Sequence, residues 1–553
     1  MNALENEKPL IQNCVGDFSD LKTVYYKKRF LYSKYNPVKS IEGVIRQKAP
    51  VLSGTIVLIF SPCLWYGFDS LIKILPESSS VIAVEADDRL YELALKNMPA
   101  EQLDCSLKLF SKDSLSELDR TLRNLAASGK YKRILQLDFS AGTLLDSPFY
   151  SMVANAAQEI IAAFWMNRIT LVRMGRLFSK NLFSNLRFLG TGSQLYQYEK
   201  SMSLPVLVCG AGESLDKTII PEKGIFIIAV DAAVSSLLAR GVCPDAVVSL
   251  ESQSVIQKAY IGAESSFAKK IPFLFADIAS RPSVPRSVTN KTIWFASRYA
   301  ECSFLDSLQS DGVVHDFMQP LGSVGLAAVA IALRIRKSAD VPVFVTGLDF
   351  SYSAGRTHAK HAPAMIQRWS QCDVLHPAEN YDSAFSPPAF YVEGKNKMQV
   401  ITIKSMQNYA ESFKAVFSKE KNLFDIGLQG VSLNLPLASQ DDLFRAASIA
   451  AGPADLGMPC NSNNGKHALM IEEFYARESS SLKILRDLLT YGEQSIYRDG
   501  ALSLSLQIEN LLRNREYLYL HFPDGYRFSM ETNFLKRVRA EIDFFLKYID
   551  TAL

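Results

Sequence analysis

Six times in the middle of this chain a short, almost wholly apolar run ends on an acid, a hydroxyl or a glycine. The runs are LPVLVCG (204–210), GIFIIAVD (224–231), DAVVSLE (245–251), PFLFAD (272–277), TIWFAS (292–297) and VPVFVTGLDFSY (341–352). Continuous apolar runs of this length, rather than alternating ones, are strands covered on both faces, so they predict a parallel sheet with helices above and below. In an open sheet of that kind the carboxyl ends of the strands converge on one crevice, where ligands bind. The polar residue that closes each run therefore stands at a candidate site.

A weaker pattern of the same type precedes this block. TIVLIF (55–60), the turn SPCLWYGFD, the helical LIKIL and VIAVEADD (81–88) read as a βαβ unit, continued by RILQLDF at 133–139 and a helical connector at 148–183. Glu85 ends the second strand, where nucleotide-binding folds hold ribose, but the first turn has a single glycine. A Rossmann-like domain without an active cofactor site is expected. The basic stretch YYKKRFLYSKY (25–35) reads as a solvated surface with snorkelling tyrosines. After residue 408 the pattern is helical with one further strand in NLFDIGLQGVSLN (422–434). Residues 452–466 read as a linker or loop, and residues 467–553 carry a 3.6-residue apolar period. The expected division is an N-terminal Rossmann-like domain with its connector (1–200), a central doubly wound α/β domain (201–440) and a C-terminal helical domain (441–553).

Composition narrows the function. Sixty Lys and Arg against 57 Asp and Glu leave a net charge of +3, too little to hold a nucleic acid by counterion release. The eight cysteines are scattered, with no C-x-x-C pair, and read as free thiols of a reducing compartment. The N-terminal MNALENEKPLIQN lacks a basic stretch followed by an apolar one. The longest apolar run, 321–333, is shorter than the roughly 20 residues of a membrane span. A cytoplasmic protein without a membrane span is expected.

Two segments carry most of the chemistry. Gly210-Ala211-Gly212-Glu213-Ser214 is a glycine-rich turn between strand and helix, a place where backbone N–H groups and a helix start can receive phosphate; a tight turn with a Ser cap is the plain alternative. Asp231, Asp245, Ser249 and Glu251 lie on the two strands that follow. The second segment, 346–362, ends a strand in Gly347-Leu348-Asp349 and continues through Thr357, His358 and His361. Histidine three residues from histidine suits proton transfer near neutrality, with metal binding as the competing use. Between them Gly322-Ser323 opens a helix of small residues.

In this order the residues resemble the motility accessory factor (Maf) family, flagellin glycosyltransferases whose central domain is similar to 6-hydroxymethylpterin diphosphokinase. The matching elements are Gly210-Ala211-Gly212-Glu213-Ser214-Leu215, Ala229-Val230-Asp231, Pro244-Asp245-Ala246-Val247-Val248-Ser249-Leu250-Glu251, Gly322-Ser323-Val324 and Gly347-Leu348-Asp349 followed by Thr357-His358-Ala359. Glu213 stands where the family usually has Pro, and Glu251 where Asp is common. The resemblance implies a central domain similar to bacterial sialyltransferases. It implies transfer of a nonulosonic acid, of pseudaminic or legionaminic type, from a CMP-activated donor to Ser or Thr of flagellin, in support of flagellar assembly and motility. In this scheme the CMP-sugar is a substrate, and neither cofactor nor metal is needed. Gly210, Gly212, Ser214, Asp231, Asp245, Glu251, Gly322, Ser323 and Thr357 would bind the donor, and Asp349 or His358 would move the proton. A diphosphokinase, which would require divalent metal and ATP, and a non-catalytic flagellin-binding scaffold are the alternatives.

Overall fold

The computed structural model describes residues 8–77, 79–99, 107–190, 192–264, 271–285, 291–377, 388–450, 456–457, 464–525 and 527–552. Cys105, Cys460 and most of the expected linker at 452–466 lie outside them. By packing, the chain divides into two compact units, Met1–Arg173 and Met174–Leu553. Composition suggested three segments. Packing groups the central sheet and the C-terminal helices together.

The first unit opens with a small antiparallel sheet of β1 (Leu10–Asn13), β2 (Lys22–Tyr26) and β3 (Arg29–Phe30). This corrects the reading of 25–35 as a solvated surface. Tyr26, Leu31 and Tyr32 are buried, and Lys27 and Lys28, at φ 44° and 62°, form the two-residue turn of a hairpin. A Lys-Lys pair in that turn carries no glycine or asparagine signal, so the hairpin is silent in the sequence. Then come β4 (Thr55–Phe60), β5 (Ser80–Glu85), β6 (Leu107–Ser111) and β7 (Arg133–Asp138), a parallel sheet in the order β6-β5-β4-β7. The expected Rossmann-like arrangement is present. Alternate residues of β4 face opposite layers: Val57 and Ile59 pack with Tyr26, Leu31 and Trp65, while Ile56, Leu58 and Phe60 pack with Leu118, Tyr150 and Val153.

The second unit is built on an eight-stranded, all-parallel sheet. Its strands are β8 (Ser193–Gln194), β9 (Val206–Cys209), β10 (Phe226–Val230), β11 (Ala246–Ser249), β12 (Phe273–Asp277), β13 (Lys291–Phe295) and β14 (Val343–Thr346); β17 (Leu423–Asp425) completes it after the hairpin β15 (Ala389–Glu393) and β16 (Gln399–Ile403). The order is β17-β14-β9-β10-β11-β12-β13-β8. The direction of winding reverses between β9 and β14, bridged by the buried helix Val324–Ile335. The C-terminal region is helical as expected, with helices Asn464–Tyr491, Leu504–Leu512 and Thr532–Asp550. Phe183 anchors them, with its ring 4.9 Å from Tyr517 and 5.8 Å from Phe545. Among the described residues no helix is long and apolar enough to cross a membrane.

Candidate active site at the reversal of the sheet

Strand register brings the polar endings together. Cys209 pairs with Ala229 and Thr346, Val230 with Val248, Ser249 with Ala276, and Val345 with Asp425. The residues after β9, β10, β11, β14 and β17 therefore share one edge. At the reversal the two glycine loops meet backbone to backbone. Gly210 N–H donates to the Thr346 carbonyl (2.7 Å), Gly212 N–H to the Gly347 carbonyl (2.8 Å), and Ser214 N–H to Asp349 Oδ2 (2.8 Å). A Cβ at Gly210 would lie 2.3 Å from the Gly347 oxygen, and one at Gly212 2.5 Å from Asp349 Oδ2. Only glycine permits this approach. The turn expected to open a phosphate-binding helix opens instead a five-residue 3-10 segment, Glu213–Lys217, and three of its N–H groups already have acceptors. Its work in the fold is to seat Asp349.

Asp349 is 3% exposed, and burial pushes its carboxyl up to about 6. Oδ2 accepts the Ser214 amide, whereas Oδ1 has no hydrogen-bond partner among the described residues. Asp349 is among the residues that line a cavity of about 250 Å³, with Tyr352, Tyr391, Lys395, Met398 and Gln429. Lys395 and Asp425 form a buried ion pair there, 2.6 Å apart. Gly427 N–H also donates to Asp425 Oδ1, and desolvation outweighs both in raising the Asp425 carboxyl. Sequence reading missed Lys395, which follows β15, because the hairpin was not foreseen. Asp425 did carry the signal of an acid ending an apolar run.

The loop after Asp349 is fastened to the glycine turn. Ser353 Oγ donates to Glu213 Oε2 (2.6 Å), Arg356 pairs with Glu213 (3.3 Å) and Asp216 (2.7 Å), and Ala359 N–H donates to the Ala211 carbonyl (2.8 Å). Glu213 is thus engaged by Arg356 and Ser353. Thr357 is buried and accepts from Arg368 (3.2 Å), and its hydroxyl lies 3.1 Å from His358 Nδ1. Burial, helped by Arg368, holds the His358 imidazole below its usual range, so at neutral pH it is uncharged. His361 offers its backbone carbonyl to Ser235. Among the described residues no group of three or more His, Cys, Asp or Glu side chains could hold a metal ion.

Further along the edge, Asp231 is buried and its carboxyl rises to about 7, through desolvation and then the charge of Glu251. The hydroxyls of Ser249 and Tyr260 are buried close to each other. Ser323 caps the helix Val324–Ile335 by accepting from Gly325 N–H (3.2 Å), after Gly322 at φ 70°. Asp245 is the residue not brought to this group. It precedes β11 and accepts from Ile227 N–H (2.8 Å) near the start of β10, at the opposite end of the strands. Its position is that of a strand-start cap, remote from the crevice.

Comparison with known proteins adds three findings. A family model described as 6-hydroxymethylpterin diphosphokinase MptE-like matches residues 178–355. An uncharacterized protein of Treponema pallidum (strain Nichols) is 31% identical over 565 aligned positions, spanning 95% of this chain and 93% of that protein. The structure of the Maf glycosyltransferase from Magnetospirillum magneticum AMB-1 has the same fold, with a TM-score of 0.52 at 15% identity over 99% of this chain and 94% of that one.

Proposed function

This chain and the uncharacterized Treponema pallidum protein belong to one family, and from its MptE-like region and its fold, shared with a Maf glycosyltransferase, we propose that it is a glycosyltransferase of the Maf type that moves a nonulosonic acid from its CMP-activated form to Ser or Thr of flagellin. The observation that carries the reading is Asp349: a buried carboxyl near pKa 6 with one free oxygen, beside a cavity at the reversal of a parallel sheet. That is the chemistry of a base for an acceptor hydroxyl at neutral pH. Uncharged His358 nearby in the chain is a second proton acceptor.

In this scheme the donor lies along the strand ends. Asp231, Ser249, Glu251 and Ser323 serve its nucleoside side, and Thr357 lies toward the leaving phosphate. Transfer proceeds with CMP as leaving group, and the protein's task is to orient the two substrates, keep water out and take the proton. Gly210, Gly212 and Ser214 contribute by holding Asp349.

The name of the matched family model favours one other reading, a diphosphokinase. The test separates them. Intact masses of flagellin from cells with and without the protein are expected to differ by whole nonulosonic acid residues. In vitro, CMP release should depend on both the CMP-sugar and flagellin. Metal-dependent release of AMP from ATP, with unchanged flagellin mass, would establish the diphosphokinase.

A further inference from the structure

The segment that follows β17 ties together the charged groups around Asp349. Lys395 Nζ lies 2.6 Å from Asp425 Oδ2 and donates to the Gly427 carbonyl (3.3 Å), and both side chains of the pair are 3% exposed. The backbone fixes the same residues. Lys395 N–H donates to the Gly430 carbonyl and Val431 N–H to the Asp349 carbonyl, each at 2.8 Å. Ser214, whose amide holds Asp349 Oδ2, also accepts from Gln429 N–H through its hydroxyl (3.1 Å). A Cβ at Gly427 would lie 3.0 Å from Lys395 Nζ, 3.1 Å from Asp425 Oδ1 and 3.4 Å from Ser214 Oγ, so ammonium, carboxylate and hydroxyl close on one glycine. A Cβ at Gly430 would lie 2.6 Å from Asp349 Cα.

A buried ion pair is commonly no more stabilising than apolar side chains of the same size, so stability alone does not account for this one. Charges so poorly hydrated act on their neighbours over several ångströms. For Asp349, burial is the largest influence and raises the carboxyl; the Ser214 amide and then the Lys395 charge hold it down, and the Asp425 charge raises it by less. The other ionisable side chains lining the cavity are Glu213, which pairs with Arg356 (3.3 Å), and the phenols of Tyr352 and Tyr391. Lys395 is the only cation among the described residues that line it.

We infer that Lys395 is a positioning residue for the transfer: its ammonium, carried in by the turn of the β15–β16 hairpin and held by Asp425 and Gly427, keeps Asp349 ionised near neutrality and so sets the acid limit of the reaction. The inference rests on the glycosyltransferase reading above, in which Asp349 takes the acceptor proton, and adds what makes that carboxyl available.

The test uses the full chain and reads the Asp349 midpoint in two ways. Without substrate, it is the pH at which the difference in urea stability between each protein and its Asp349→Asn counterpart levels off. With substrates, it is the acid limb of turnover in the CMP-release assay. Asp425→Asn leaves the ammonium unopposed and is expected to lower the midpoint, whereas Lys395→Met combined with Asp425→Leu removes both charges and should raise it by roughly one pH unit. In that double variant the ratio of turnover at pH 6 to turnover at pH 8 should fall about fivefold, while Lys395→Arg, which keeps the charge, should hold the ratio within about twofold of wild type. The double variant leaves no lone buried charge, so it decides the matter by itself if thermal melts show Asp425→Asn unfolded. A pair that serves the fold alone would lower turnover equally at both pH values. Midpoints that do not move, or that move in the same direction in Asp425→Asn and the double variant, with the acid limb of the wild type intact, overturn the role of Lys395 and leave Asp349 as the base. Opposite midpoints in the stability series without any acid limb in turnover remove Asp349 from the reaction, and with it the reading above, while supporting the hold of Lys395 on that carboxyl.

Discussion

Each unit of this protein carries a buried carboxyl at or just beyond the end of a buried parallel strand, and the two have different fates. In the first unit Glu85 Oε1 accepts from the Tyr150 hydroxyl (2.7 Å) and the Ala86 amide (3.0 Å), and the Cys63 thiol lies 3.9 Å from Oε2. In the second unit Asp349 satisfies one oxygen on Ser214, and the other has no hydrogen bond among the described residues. Burial raises both carboxyls. Position at a strand end therefore does not by itself make a site. What distinguishes Asp349 is an oxygen left unpaired among the described residues, in a residue that lines a cavity.

The turns before them differ in the same sense. In the first unit the segment after β4 carries side chains in the left-handed region, at Ser61 (φ 49°), Cys63 (φ 41°) and Trp65 (φ 56°), and all three are buried. In the second unit Gly210 and Gly347 remove the side chains, the loops close on each other, and Asp349 is placed at the rim.

The contrast can be broken most directly by paired substitutions. Asp349→Asn is expected to lower turnover about 100- to 10,000-fold in a CMP-release assay, the usual range for loss of a general base, whereas Glu85→Ala should change turnover by less than about threefold. Comparable losses in the two would erase the distinction. Gly347→Ala, at φ 67° and with its new Cβ 2.3 Å from the Gly210 oxygen, should cost roughly 3 kcal/mol or more in urea unfolding. Glu85→Ala should cost about 1–3 kcal/mol by the same measurement, because it leaves the Tyr150 hydroxyl without its acceptor.

A pH series sharpens the contrast. Asp349 holds its proton up to about pH 6 when folded but only to about 3.9 when unfolded, so its contribution to stability is complete below about pH 4 and is lost as pH rises through about 6. Asp349→Asn lacks this loss, so its stability relative to wild type should improve by on the order of 2 kcal/mol between pH 4 and pH 7. Wild-type turnover should move the other way, falling about tenfold per unit below pH 6 as the base is protonated. A flat pH–rate profile between 5 and 7 would move the proton-accepting role away from Asp349. The smallest effect is expected at Arg356: with its guanidinium partly exposed, Arg356→Ala should cost no more than about 1 kcal/mol and leave the Asp349 profile unchanged.

What could be read from the residues in order is local in origin. Apolar runs closing on Cys209-Gly210, Val230-Asp231, Ser249 and Thr346-Gly347-Leu348-Asp349 set the strands, their covered faces and the edge on which their ends meet, because strand period and turn chemistry act over a few residues. The order of motifs along the chain sufficed for the resemblance to the Maf family, and the helical period after 467 for the C-terminal region. Tertiary structure alone decided how those ends are used. The Ser214 amide reaches Asp349 across 135 residues, Ser353 reaches Glu213 across 140, and Lys395 stands against Asp425 only because an unforeseen hairpin folds over the sheet edge. Asp245 and Glu251 look alike in the sequence, yet strand direction sends them to opposite ends of β11. Which N–H groups are already taken, and which oxygen remains free, depends on partners far apart in the chain, and no local pattern records them.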